Sequence, residues 1–207
     1  MTANIKHIVP TFLLALIILF SHTAHSQDIS YITQDIKNIM PMSIKESYKA
    51  IPHEQTTYDM SKSPLSYAEK KYLSDFFTLS DLMMSARVST LTNLYHSKGG
   101  MSINTYNEAF QLSMEGFQSL DVPKNALPAH KLIVQAIQEH HKFLNNWSKA
   151  PATEKARIKK SFFQDALVKS SSSKLINSYN RLMSDYRSES PHNKKAFYDH
   201  LCALDFK

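Results

Sequence analysis

Glycine is scarce: the chain has three in 207 residues, against an average near 7 per cent. Sandwiches, barrels and nucleotide-binding α/β folds need glycine at their turns and phosphate loops, so the scarcity argues against all of them. Cysteine occurs once, as Cys202. No internal disulfide can form, stability must come from packing, and only a bridge to another chain stays open to this thiol. Long apolar runs are short as well. The longest, Ile8 to Phe20, is interrupted by Pro10 and falls below the roughly 20 residues that span a bilayer. Catalytic signatures are missing too: there is no G-x-S-x-G elbow, phosphate loop, H-E-x-x-H or C-x-x-C-H. A Glu-x-x-His pair of the kind that holds di-iron occurs at Glu189 and His192, but Pro191 breaks it. No catalytic residue is assigned, and no cofactor is expected.

The start of the chain reads as an export signal. Lys6 supplies a positive leading region, the Ile8 to Phe20 run an apolar core, and Ala24-His25-Ser26 small residues at the positions a signal peptidase reads. The expectation is a cleaved signal over residues 1–26 and a single all-α domain over residues 27–207. That domain would be secreted or periplasmic, with no transmembrane segment in the mature chain. Cleavage removes one lysine from the net charge of +6 and leaves +5. About 180 residues remain, enough for one domain with a substantial core.

Apolar spacing is helical throughout. Ile29, Ile32, Ile36 and Ile39 form a first short stripe, and Ser43-Ile-Lys-Glu46 is a capping box opening a second short helix that Pro52 ends. Residues 53–63 are polar and read as a surface loop. Ser66-Tyr-Ala-Glu69 is another capping box, and Tyr72, Phe76, Leu79, Met83 and Ala86 run on towards Gly99-Gly100 as one long helix. The polar stretch from Ser85 to Thr92 is where a bend is expected. Further stripes follow: Tyr106 to Phe117; Ile133, Ile137, His140, Leu144 and Trp147; and Phe162, Phe163, Ala166 and Leu167. The serine run Ser170–Ser173 reads as a break before Leu175, Tyr179, Leu182 and Tyr186. Ser190-Pro191 then opens a last helix with Phe197, Leu201 and Leu204. The fold expected is a helical bundle of about five longer helices plus one or two short N-terminal ones.

Histidine offers one chemical alternative. His140 lies on the apolar seam, His141 turns about 100° away from it, and His200 borders the stripe of the last helix. As core residues these would hydrogen-bond to a neighbour; as metal ligands they would need further donors that the sequence does not align. Met83, Met84, Met101 and Met114 read as core filling.

Charge is the stronger signal. From Asp75 to Asp121 there are five acids and two bases, and from Lys124 to Lys174 ten bases and three acids. The densest part is PATEKARIKKSFF, residues 151–163. Read as the start of a helix that runs past Phe163, it sets Lys155, Arg157, Lys159 and Lys160 against the positive end of the dipole. At 100° per residue the four surround the axis, and Lys155 and Lys159 fall on the continuation of the apolar stripe. Both breaches make sense if this end projects and meets an anion. Lys131, Lys142, Lys149 and Lys169 would widen the patch.

The expected partner is an anionic lipid head group, a phosphoinositide among them, or another phosphorylated ligand. A nucleic acid is disfavoured by export and by the lack of a helical DNA-binding pattern. In general character the chain resembles the small helical effectors that Gram-negative bacteria secrete, a likeness that assigns no residue. The alternative class is a structural or scaffolding homo-oligomer of the bacterial envelope, a homodimer in its simplest form.

Overall fold

The computed structural model describes residues 29–96 and 99–206; the expected signal segment lies outside them. Among the described residues there are eight α-helices and no strand. They are α1 (Ser30–Ile39), α2 (Ile44–Ala50), α3 (Tyr67–His96), α4 (Ile103–Ser119), α5 (Leu127–Lys149), α6 (Ala152–Ser161), α7 (Ala166–Asp185) and α8 (Pro191–Leu204). Two 3-10 turns, Met60–Lys62 and Phe162–Gln164, join them. This is the all-α bundle that scarce glycine and helical spacing indicate.

The caps fall where the sequence puts them. The Ser43 hydroxyl accepts from the Glu46 amide while the Glu46 carboxylate accepts from the Ser43 amide, and Ser66 and Glu69 reciprocate in the same way ahead of α3. Gly99 and Gly100 both have positive φ, the conformation that costs glycine nothing after a helix end.

α3 is the axis of the bundle, packed against α1, α2, α4, α5 and α8. Every residue from Leu79 to Leu91 is buried, so this part of α3 touches neighbours on all sides and cannot be one-faced. Two of its small polar members turn back on the helix itself, Ser80 donating to the Phe76 carbonyl and Thr90 to the Ala86 carbonyl, each at 2.8 Å, while Ser85, Asp81 and Arg87 bond to other elements. The polar stretch Ser85 to Thr92 thus lies within one unbroken helix and is buried as far as Leu91.

α5 and α7 form the most extensive helix pair, and here the reading of the serine run is corrected. Ser170–Ser173 is no break; it lies inside α7. Ser171 and Ser172 are buried and return their hydroxyls to the Val168 carbonyl at 2.9 Å, while Ser170 and Lys174 reach across to Glu139 of α5. Small side chains let the two helices approach, and the hydroxyls cost nothing there because each has a partner. The real break comes earlier, at Phe162–Gln164, after which Asp165 caps α7 by accepting from the Leu167 amide at 2.8 Å.

The supposed surface loop before α3 is also tied down. Tyr58 is buried against Phe197 and donates to Glu189 at 2.8 Å, and the Asp59 amide and carbonyl pair with the Asn193 side chain. Glu189 and His192 hold this strap, His192 through the Thr57 carbonyl at 3.0 Å.

Candidate functional site

The region singled out by charge starts at the end of α5. Phe162, in the 3-10 turn, is 2 per cent exposed. It packs edge-on against Phe143 at 5.0 Å, with Trp147 at 6.0 Å. That ring pins the far end of α6 to the bundle. α6 itself contains no buried residue, so it lies on the surface as a basic rod held at its end.

The helix obeys its dipole, and this overturns the premise drawn from the sequence. Because α6 ends at Ser161, Lys159 and Lys160 lie in its last turn and Glu154 in its first, the arrangement the macrodipole favours. Arg157 is paired with Glu154, its Nε donating at 3.0 Å, which raises the guanidinium pKa and lowers that of the carboxyl. Phe163 does not continue an apolar stripe either; it points outward and is 58 per cent exposed. What remains of the expectation is exposure and unneutralised charge.

Those are substantial. Lys131, Lys142 and Lys149 are exposed, and at 100° per residue they fall within about 20° of one another on the outer face of α5. The stripe runs about 27 Å from Lys131 to Lys149 at 1.5 Å per residue, and α6 adds Lys155, half-buried, and Lys160, exposed. Among the described residues none of these five lysines has an acid within ion-pair distance, whereas Lys62, Lys71, Lys174 and Lys195 all do. The other three predicted cations are engaged locally: Arg157 with Glu154, Lys169 with Gln164 at 2.8 Å, and Lys159 with the Tyr95 carbonyl at 2.9 Å. Three of the eight cations thus line one face of α5, with Lys131 at the end remote from α6.

The histidines sit in separate places. His140 is buried on α5. His141 does not turn to solvent: its ring stacks on Phe110 at 3.8 Å and its Nε2 meets Asn107 at 3.0 Å. Burial, then the charge of Lys149, lowers its pKa. His200 stacks on Phe77 at 4.6 Å. No group of three His, Cys, Asp or Glu able to hold a metal occurs among the described residues.

Sequence reasoning missed a buried polar cluster on α3. The Asp81 carboxylate accepts from the Tyr48 hydroxyl at 2.9 Å and meets His200 Nδ1 at 2.7 Å, with Gln55 at 3.4 Å. Burial, and then the neighbouring Asp81 charge, pushes the Tyr48 pKa up. Asp, His and Tyr in contact resemble an acid–base relay, but all three are at most 5 per cent exposed. The cluster bolts α2, the strap and α8 to α3. Arg87, 3 per cent exposed, plays a similar part, donating to the Leu204 carbonyl at 3.0 Å and to that of Phe206. The cation sits at the negative end of α8, whose terminal carbonyls it satisfies.

Comparison with known protein families, with curated proteins and with solved structures finds no match. No helix among the described residues is long and apolar enough to cross a membrane.

Proposed function

We propose that this chain is an exported, non-enzymatic binding protein whose α5–α6 face contacts anionic surfaces, phosphoinositides and other acidic phospholipid head groups above all. The observation that carries this is the row of five lysines without acid partners, along α5 and onto a helix with no buried residue. Near an anionic leaflet each lysine contributes about 1 kcal/mol, so the row supplies about 5 kcal/mol, a weak and reversible association. Changing Lys131, Lys142, Lys149, Lys155 and Lys160 to Gln should abolish co-sedimentation with vesicles containing phosphatidylserine. Undiminished binding by that variant refutes the reading.

A homodimer has its own support. A groove of about 420 Å³ between α7 and α8 is lined by Leu175, Ile176, Tyr179, Tyr198, Leu201 and the exposed Cys202. Light scattering over a concentration series, with and without reductant, decides it: a constant monomer mass rejects the dimer.

A further inference from the structure

Lysine attraction alone leaves a peripheral protein only loosely held, and α6 leads directly into an apolar feature. Phe163, two residues past the end of α6, is 58 per cent exposed although its neighbour Phe162 is buried. Its ring stands edge-on to that of Phe162 at 5.7 Å, so the inner ring fixes the base from which the outer one projects. Phe163 is one wall of a cleft of about 230 Å³ lined also by Val88, Leu91, Tyr95 and Phe206, with Thr92 and His96 as its polar members. The apolar surface therefore continues inward and is not a single stray side chain.

One cation is tied to the Tyr95 wall of this cleft. Lys159 Nζ donates to the Tyr95 carbonyl at 2.9 Å and lies 5.1 Å from the centre of the Tyr95 ring. An ammonium has three N–H donors, so Lys159 keeps two for an anion at the edge of the same cleft. Lys160 follows, exposed. A projecting aromatic ring beside exposed ammonium groups suits an acidic bilayer, the ring passing the headgroup layer while the cations stay level with the phosphates. The cleft's volume is below the roughly 300–1,000 Å³ of sites that enclose a whole small molecule.

Resting on the electrostatic reading above, we propose that α6 and the turn after it form an interfacial anchor: Phe163 inserts among the acyl chains while Lys159 and Lys160 engage phospholipid phosphates. Phe163 is exposed, so replacing it leaves the fold intact, which a thermal melt verifies. With vesicles of phosphatidylcholine and phosphatidylserine, the full chain carrying Phe163→Ser should bind about tenfold more weakly. Tyr31→Ser is the control, since Tyr31 on α1 is also exposed, at 54 per cent, and its binding should match wild type. Phe163→Trp should bind normally and show indole emission quenched by brominated lipid, beyond any response of the buried Trp147. If Phe163→Ser binds like wild type, or the introduced indole is not quenched, insertion is overturned; a Lys155→Gln/Lys160→Gln variant that still loses binding then leaves the electrostatic reading standing. If wild type does not bind these vesicles at all, the reading fails and the anchor with it.

Discussion

Asp81 gathers Tyr48, Gln55 and His200 from three separate parts of the chain onto one carboxylate, and Arg87, six residues on, closes the end of α8. Buried polar groups of this kind cost little while every partner is present and a great deal when one is removed. Arg87→Met keeps an apolar stem of similar reach but strips the donors from the Leu204 and Phe206 carbonyls. It should cost about 3 kcal/mol, seen as a fall of about 10 °C in thermal midpoint; an unshifted midpoint would refute this role. His130 makes a pH prediction. Desolvation beside Phe76 and Phe117 lowers its pKa to about 4, against about 6.5 when unfolded. The folded state thus takes up its proton later than the unfolded one as pH falls. The contribution is fully present above about pH 6.5 and is lost progressively towards pH 4, of order 2 kcal/mol for a partly screened ring. Urea unfolding at pH 7 and pH 4.5 should show a smaller acid loss for His130→Leu than for wild type.

At the scale of elements, the caps were readable and one junction was not. Ser43 with Glu46, Ser66 with Glu69, and Ser190 before Pro191 mark helix starts by chemistry that acts within four residues, and each opens a helix where its spacing says. The end of α6 is hidden because Phe162, Phe163, Ala166 and Leu167 keep helical spacing across it, although the chain makes a 3-10 turn there. The overlooked signal is Asp165 just before Leu167 and Val168, an N-cap ahead of an apolar run. Ser170–Ser173 misleads in the opposite sense, since serine favours breaks when solvated but fills a tight helix crossing when buried. Asp165→Ala removes the acceptor for the Leu167 amide and should lower stability by about 1 kcal/mol, measured by denaturant midpoint. The same displaced boundary reverses the charge argument. A helix that stops at Ser161 has Lys159 and Lys160 at its favourable end, so unneutralised exposure, not dipole conflict, is what marks α6.

Over the whole molecule, charge and burial are separated along the chain. α3 carries one charge of each sign into the centre, Asp81 and Arg87, whereas the bases from Lys131 to Lys160 lie on the outer faces of α5 and α6. The asymmetry was legible because counting needs only order in sequence. Which lysines have acid partners was legible only in part: Lys62, Lys71 and Lys195 pair within four residues, but Lys174 meets Glu139 across two helices, and His200 meets Asp81 over 119 positions. The central claim, that this face holds anionic membranes by charge, is tested most directly by one titration. Binding of the full chain to phosphatidylserine vesicles is followed as added salt shrinks the screening length from about 30 Å at 0.01 M to about 3 Å at 1 M. Affinity falling steadily to a small residue at high salt, with none for pure phosphatidylcholine at any salt, is the result this account predicts. Binding that is indifferent to salt, or equal on neutral vesicles, would contradict it.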